Sequence, residues 1–237
     1  SQRVGVSIDN VLIDMNGIIH NAAQKVFQYG KHKPIPRLIR GKNKAPIPTR
    51  TCQELELDLF KEVCNAVNEW VSILEPKKRL VLCVDGPAPM SKQNQQRQRR
   101  FRSARDAEPD ASFDATCITP GTRFMDSLDK YIDWYIRFRM SFDKNWSGIE
   151  VVYTGEKVPG EGEAKCFGMI RAGTDEESYC VIGNDADLIM LALATHKSLV
   201  YVLREDMYID ENLFLVNVSE LAELLTKEMA WECDTFS

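Results

Sequence analysis

The chain has 237 residues and a mass of 27.0 kDa, with 44% hydrophobic and 27% charged residues and a net charge of −5. It contains neither an apolar run of about 18 residues, as a membrane helix requires, nor a basic stretch leading into an apolar N-terminal core, as a signal peptide has. Its seven cysteines show no pair with zinc-ligand spacing, so we expect reduced thiols in an intracellular protein rather than in a secreted or membrane-spanning one.

Predicted strands and helices alternate along the chain. Short β-branched runs predict strands at 11–13, 80–84, 149–154, 179–182 and 199–203. Segments of helical period predict helices at about 54–74, 91–105, 122–142, 161–172, 186–195 and 218–229. Thr51 and Glu54 have the spacing of a capping box ahead of the first of these helices. The alternation predicts an α/β fold, with a mainly parallel twisted sheet flanked by helices on both faces.

Basic residues are concentrated in two segments. Residues 15–53 contain eight Lys and Arg, residues 91–105 contain six, and neither segment contains an acid. Because 29–50 is rich in Pro, Gly, Lys and Arg without a clean period, we predict a mobile basic loop at about 22–50, within a single domain spanning 1–237. Charge alone leaves two interpretations open, namely two solvated surface stretches or a local site for a polyanion.

Acidic side chains follow several predicted strands. They are Asp14, Asp85, Asp185 and Asp187, joined by Glu161 and Glu163 where a glycine-rich loop enters a helix. The strands' carboxyl ends border the functional crevice of an open α/β sheet, so we expect these carboxylates to converge there without basic partners. Mg²⁺ or Mn²⁺ would relieve their repulsion, and two such ions can catalyse a phosphoryl displacement. The competing interpretation makes each Asp a helix cap or a turn former.

The predicted helix at 91–105 has one strongly basic face. Lys92, Gln96, Arg99 and Arg100 lie at i, i+4, i+7 and i+8, which places three cations and an amide on that face. Since a solvated surface helix normally mixes acids with bases, the absence of acids favours phosphate binding. His20, six residues after Asp14, is either a structural residue or one that stacks on a nucleobase.

Six sequence blocks stand out along the chain, namely 9–21 (DNVLIDMNGIIHN), 85–89 (DGPAP), 94–103 (NQQRQRRFRS), 118–122 (ITPGT), 158–163 (VPGEGE) and 185–190 (DADLIM). Together and in this order they resemble the catalytic core of the XRN family of 5′→3′ exoribonucleases. The resemblance implies a 5′ nuclease core of the PIN/FEN-like class. It also implies a Mg²⁺-dependent enzyme that degrades single-stranded RNA with a 5′-monophosphate into mononucleotides.

The resemblance also assigns roles to residues. It makes the six carboxylates Asp14, Asp85, Glu161, Glu163, Asp185 and Asp187 the metal-binding and catalytic set. Lys92, Gln96, Arg99 and Arg100 match the 5′-phosphate pocket of the family, and His20 matches a residue that stacks on the first bases. Water is the expected nucleophile, because no Ser or Cys stands in a position that suggests a covalent route.

The sequence departs from the family pattern in ways that leave alternatives open. The family's seventh carboxylate, in a Gly-Asn-Asp-Phe-Leu-Pro block, has no counterpart, and Ala164 stands where His is common. We therefore expect a fragment of a longer protein, a chain with omitted segments, or a divergent relative. The functional alternatives are a non-catalytic subunit that binds RNA 5′ ends within a larger assembly, a flap or 5′-directed DNA nuclease, and a Mg²⁺ phosphatase.

Overall fold

The strands of the computed structural model form a single sheet. The structure describes residues 5–32, 51–106, 113–205 and 213–234, without the side chains of 99, 100, 102–106 and 230–234. The strands are β1 (Asn10–Asp14), β2 (Arg79–Cys83), β3 (Glu150–Thr154), β4 (Tyr179–Ile182), β5 (Val200–Glu205) and β6 (Leu213–Asn217). Their order is β3-β2-β1-β4-β5-β6, in which only the β5–β6 pair is antiparallel. The prediction of a mainly parallel α/β sheet is confirmed.

The order of the strands places a crevice at one edge of the sheet. β1 pairs with β2 on one side and with β4 on the other, so the direction of winding reverses at β1. At such a switch point the connections after neighbouring strands diverge, and a crevice opens beyond their carboxyl ends. Asp14 ends β1, whereas Asp85 and Asp185 follow β2 and β4. The topology therefore brings the three predicted aspartate positions to one edge.

Helices cover the sheet and agree largely with the predicted ones. They are α1 (Met15–Phe27), α2 (Cys52–Leu74), α3 (Met90–Asp106), α4 (Arg123–Phe142), α5 (Lys144–Ser147), α6 (Gly162–Ala172), α7 (Asp187–Leu193) and α8 (Val218–Asp234). Short 3₁₀ turns lie at Gly30–His32 and Ala115–Cys117. None of the helices in the described ranges is both long enough and apolar enough to cross a bilayer.

The predicted basic loop is wrong in its first residues. Residues 22–27 belong to α1, whose buried side chains Met15, Ile19, Ala22 and Ala23 have helical spacing. Their burial against the sheet stabilises a helix that the following Pro-rich sequence obscured. Residues 28–32 follow the helix and include the 3₁₀ turn at Gly30–His32, and the remaining part of the predicted loop, 33–50, lies outside the described residues.

The core has one layer on each face of the sheet. Val11 and Ile13 of β1 pack into the layer that includes α1, α2 and α4, whereas Leu12 between them packs into the layer that includes α6 and α7. This alternation is the period of two that a strand buried on both faces requires. The six cysteines with described side chains are free, in agreement with the predicted reduced thiols.

The capping box ahead of α2 gives a first testable prediction. The Thr51 hydroxyl accepts from the backbone N of Glu54 at 3.3 Å, and the Glu54 carboxylate accepts from the backbone N of Thr51 at 2.8 Å. We expect Thr51→Ala to lower the free energy of unfolding by about 1 kcal/mol in urea titrations, because an N-cap hydrogen bond is lost. Gln53→Ala, at an exposed position of the same turn, is the control. An equal effect of both substitutions would contradict the role of the cap.

Candidate active site

Asp14 stands at the junction of β1 and α1. Its Oδ1 accepts a hydrogen bond from the backbone N of Asn16 at 3.1 Å, which makes it the N-cap of α1. Burial raises the pKa of Asp14 to about 7, the N-cap bond opposes the rise, and the charges of Asp85, Glu163 and Asp185 add to it. The cap and the site interpretations of this residue are thus compatible, since one carboxylate ends a strand, caps a helix and faces other carboxylates.

Asp85 joins the sheet to the start of α6. Its Oδ1 accepts from the backbone N of Gly162 at 2.6 Å, and its own backbone N donates to Asn16 Oδ1 at 3.4 Å. A Cβ on Gly162 would lie 2.5 Å from Asp14 Oδ1 and 3.0 Å from the Cys83 carbonyl oxygen. Only glycine allows α6 to approach Asp14 and the end of β2 this closely. Burial raises the pKa of Asp85 as well, and the charge of Glu161 adds to the rise.

The two glutamates share a basic partner that the sequence interpretation did not include. Glu161 is the N-cap residue of α6, and Glu163 lies in its first turn. Lys92 Nζ of α3 lies 2.5 Å from Glu161 Oε2 and 3.5 Å from Glu163 Oε1. The expectation of a carboxylate cluster without basic partners is therefore wrong, because α3 packs its first basic residue against the start of α6. Burial nevertheless raises the pKa of Glu163, while Lys92 opposes the rise.

Asp185 and Asp187 occupy the exposed border of the cluster. β4 ends at Ile182 and α7 begins at Asp187, so Asp185 lies in the segment between strand and helix and Asp187 is the first residue of the helix. Both side chains are exposed. They remain electrostatically linked to the buried carboxylates, since Asp185 raises the pKa of Asp14 and Asp187 raises that of Glu163.

The donor set of the cluster suits a hard divalent cation. Its side chains offer carboxylate oxygens only, which are the ligands that Mg²⁺ and Mn²⁺ prefer. The raised pKa values of Asp14, Asp85 and Glu163 reflect burial and negative charge that a cation would offset. Across the described ranges, however, no three Asp, Glu, His or Cys side chains are already arranged to hold one ion. The assignment of these residues as ligands stays a prediction.

One face of α3 is turned towards the carboxylates. Lys92 and Gln96 are partly buried, whereas Gln93, Gln95 and Arg97 of the same helix are exposed. This agrees with the face defined by the predicted spacing. The side chains of residues 99 and 100 lie outside the described part, so the positions of the Arg99 and Arg100 guanidinium groups stay predictions.

A cavity of about 240 Å³ connects the two parts of the site. Its lining comes from α1, the segment after β2, α3, the segment that leads into α4 and the first turn of α4. The lining residues are Asn16, His20, Asp85, Gln96, Ala115, Thr116, Ile118, Thr119, Pro120 and Met125. His20 lies at the pocket and part of its surface is exposed. Partial desolvation of its imidazole by the surrounding protein lowers its pKa, and the negative charge of Asp85 opposes this shift. A carboxylate, a residue of the basic face and the predicted stacking residue thus line one pocket.

Sequence reasoning missed one wall and one polar residue of this pocket. Asn16 precedes His20 by four residues on α1, so both lie on one helical face, and a helix prediction for this segment would have found it. The wall formed by 115–120 carries Thr116 and Thr119 but has no charged side chain that would indicate its role. The only sequence signal for this wall is the block at 118–122.

The raised pKa of Asp14 predicts how stability depends on pH in EDTA. Its folded-state pKa of about 7 exceeds the unfolded value of about 3.9, so the folded state holds a proton that the unfolded state releases between these pH values. Stability from this group is therefore greatest below pH 4 and falls as the pH rises to 7. We expect Asp14→Asn to stabilise the protein at pH 7.5 by about 1–4 kcal/mol.

Urea unfolding at pH 5 and pH 7.5 measures this effect. Asn keeps the acceptor for the backbone N of Asn16, so the cap is retained while the charge is removed. Asp185→Asn, an exposed member of the same cluster, is the matched control and should have a smaller effect. A wild type whose stability from pH 5 to 7.5 changes no more than that of Asp14→Asn would contradict the prediction.

Known proteins identify the family of this chain. The family described as XRN 5′-3′ exonuclease N-terminus matches residues 1–206. The chain is 33% identical over 252 aligned residues to 5′-3′ exoribonuclease 2 of Candida glabrata, with 93% of this chain and 23% of that protein covered. It is 36% identical over 217 residues to 5′-3′ exoribonuclease 1 of Schizosaccharomyces pombe, with 84% and 15% covered. The corresponding human protein, 5′-3′ exoribonuclease 1, is 34% identical over 218 residues, with 84% and 12% covered.

The chain spans less than a quarter of the length of these relatives. Among solved structures, the catalytic core of Rad2 in complex with a DNA substrate is similar with a TM-score of 0.41 and 16% identity, over 88% of this chain and 48% of that one. The family match covers most of the chain and confirms the resemblance carried by the six sequence blocks. The protein belongs to the XRN 5′-3′ exonuclease N-terminus family.

Proposed function

We propose that this chain is the catalytic core of a 5′→3′ exoribonuclease that hydrolyses 5′-monophosphorylated single-stranded RNA to mononucleotides. The observation that carries the proposal is the shared pocket, which Asp85 of the carboxylate cluster and Gln96 of the basic helix both line. A phosphate held by the basic face would lie beside carboxylates that suit a divalent cation. The names of the relatives, which are all 5′-3′ exoribonucleases, support the same reaction.

The basic face of α3 would bind the terminal phosphate. Lys92 and Gln96 face the site and supply an ammonium and an amide donor, and the helical spacing places Arg99 and Arg100 on the same face. Arg can bind a phosphate through two parallel hydrogen bonds. A pocket of about 240 Å³ is smaller than the roughly 300–1,000 Å³ of most ligand sites, so it suits one nucleotide unit rather than a longer stretch. His20 would stack on the base at the mouth of the pocket.

The carboxylate cluster would carry out the hydrolysis. Asp14, Asp85, Glu161, Glu163, Asp185 and Asp187 would hold Mg²⁺ or Mn²⁺, with two ions as the proposed number. Bound divalent ions supply charge neutralisation at the scissile phosphate and activation of the attacking water. Asn16 keeps Asp85 in place through its side-chain bond to the Asp85 backbone, and Gly162 fixes the Asp85 carboxylate from the other side. With the 5′ end anchored on α3, hydrolysis one nucleotide inward releases a mononucleotide.

Lys92 links these two tasks. Its ammonium lies against Glu161 and Glu163 and belongs by spacing to the phosphate-binding face. Cations held by the glutamates would compete with this ion pair and free the ammonium for the phosphate. The terminal phosphate would then bind the Lys92 ammonium, and the divalent cations would bind the two glutamates beside it.

The direction of degradation tests the proposal. One RNA with a 5′-monophosphate is labelled on its terminal nucleotide at the 5′ end in one sample and at the 3′ end in another. We expect the 5′ label to appear at once as a mononucleotide, whereas the 3′ label stays in long products until late in the reaction. A DNA strand of the same sequence should persist. Internal cleavage, early loss of the 3′ label, or equal degradation of the DNA would contradict the proposal, and metal-dependent binding without products would indicate an end-binding subunit.

A further inference from the structure

Glu156 has a buried carboxylate outside the predicted catalytic set. Only 3% of the residue is exposed, and no other acidic residue within the described ranges is as deeply buried. A buried carboxylate is costly unless hydrogen bonds or positive charge compensate it. The Oε2 atom of Glu156 accepts from the backbone N of Gly121 at 2.5 Å. This bond joins the segment after β3 to the segment that enters α4.

The Gly121 end of this bond belongs to the wall of the pocket. Gly121 follows Thr119 and Pro120, which line the cavity opposite α1, and its φ of +86° is a conformation that other residues adopt only under strain. Thr122 caps α4 by accepting from the backbone N of Met125, and its hydroxyl donates to the Cys117 carbonyl. The Glu156 carboxylate therefore lies at the positive end of α4, where the helix dipole stabilises an anion.

The Glu156 end of the bond is held rigidly. The backbone N of Glu156 donates to Asp129 Oδ1 at 3.4 Å, and the hydroxyl of Tyr153 donates to the same oxygen at 2.7 Å. Two residues further on, Val158 packs closely against Gly86, which follows Asp85. A Cβ added to Gly86 would lie only 1.8 Å from the Val158 carbonyl oxygen, so the two backbones are in direct contact. Glu156 thus joins the segment that packs beside Asp85 to the segment that forms the wall at 115–120.

We infer that Glu156 is a positioning residue, whose carboxylate, through its bond to Gly121, holds the wall formed by 115–120 at the distance from His20 and Gln96 that the terminal nucleotide requires. The inference rests on the proposed function, because it assigns the pocket to that nucleotide. The carboxylate acts through the wall and does not touch the substrate. Loss of the bond would widen the pocket and weaken substrate binding while leaving the carboxylates that carry out the hydrolysis in place.

Three substitutions separate positioning from general stability. Glu156→Ala removes the acceptor, whereas Glu156→Gln keeps an oxygen that can accept from Gly121. Gly121→Ala disturbs the same contact from the other side. The added Cβ would meet no atom within 4 Å, but alanine adopts the φ of +86° only under strain, so the backbone N of residue 121 should shift. Glu150→Ala, at the opposite end of β3 and exposed, is the control.

Steady-state degradation of 5′-monophosphate RNA provides the readout, at a temperature where circular dichroism shows every variant folded. We expect Glu156→Ala and Gly121→Ala to raise KM roughly tenfold, the lower end of the range for one charge-assisted hydrogen bond, because the bond acts on the substrate only through the wall. The kcat should stay within about threefold of the wild type. Glu156→Gln should restore most of the KM, and Glu150→Ala should match the wild type.

The outcomes distinguish the inference from the proposed function. An active wild type with unchanged KM in Glu156→Ala would overturn the inference alone. Equal losses in kcat for Glu156→Ala and Glu156→Gln would overturn it too, because charge rather than wall position would then matter. A wild type that does not degrade the RNA from its 5′ end would overturn the proposed function and, with it, the inference.

Discussion

Asp85→Asn is expected to lower kcat on 5′-monophosphate RNA roughly a thousandfold, the upper range for loss of one electrostatic group at a reacting centre. Asp85 lines the pocket, accepts from Gly162 and lies beside the basic helix, so its charge stands where phosphate and cations would meet. Asn has nearly the same shape and keeps an acceptor for the Gly162 backbone N. The fold should therefore survive while the charge is lost.

The control for this prediction is Asp133→Asn on the exposed face of α4, where Asp133 pairs only with Arg137 among the described contacts. Its kcat should equal that of the wild type. Asp85→Asn should still bind a 5′-phosphorylated oligonucleotide within a few fold of the wild type, as measured by fluorescence anisotropy. A folded Asp85→Asn protein with wild-type kcat would remove Asp85 from the catalytic set.

Lys92→Met is expected to reduce the preference for 5′-monophosphate over 5′-hydroxyl RNA by about 10- to 100-fold in kcat/KM. This range corresponds to one charge-assisted hydrogen bond of about 1.5–3 kcal/mol. Met keeps the length of the aliphatic stem and removes the ammonium. Degradation of the 5′-hydroxyl RNA should change much less, because that substrate offers no terminal phosphate to Lys92.

Asn94→Met provides the matched control for Lys92→Met, since Asn94 is exposed and lies two positions further along α3, on the opposite side of the helix. It should leave the preference unchanged. Lys92 also pairs with Glu161 and Glu163, so both proteins should be compared at saturating Mg²⁺, where the metal offsets the exposed carboxylate charge. If Lys92→Met lowered the rates on both RNAs equally, Lys92 would serve the carboxylates rather than the phosphate.

Local sequence signals were sufficient for most of the sheet. β1, β2 and β4 are β-branched runs buried on both faces and followed by polar residues, so composition and length identify them. β6 was missed because its apolar residues 213–216 do not alternate and run directly into the periodic sequence of α8. A short apolar run of this kind becomes a strand only through its antiparallel pairing with β5.

The residue types of the site were predictable, but several of its contacts were not. The position of Asp14 follows from the end of β1, and the inward face of α3 follows from helical spacing. By contrast, the ion pair between Lys92 and Glu161 joins the first turn of α3 to the N-cap of α6, and these residues are 69 positions apart in the sequence. Glu156, which is buried, likewise bonds to Gly121 at the entry to α4, 35 positions away, and no local pattern encodes that contact.

The most direct test of the account is a gel time course of one 3′-labelled RNA carrying either a 5′-monophosphate or a 5′-triphosphate. The wild type and Asp187→Ala are each compared in Mg²⁺ and in EDTA. The account predicts rapid loss of the monophosphate RNA by the wild type in Mg²⁺ only, with the triphosphate RNA largely intact and little loss with Asp187→Ala. Equal degradation of both RNAs, or full activity in EDTA or with Asp187→Ala, would contradict a 5′-phosphate-directed, metal-dependent exoribonuclease.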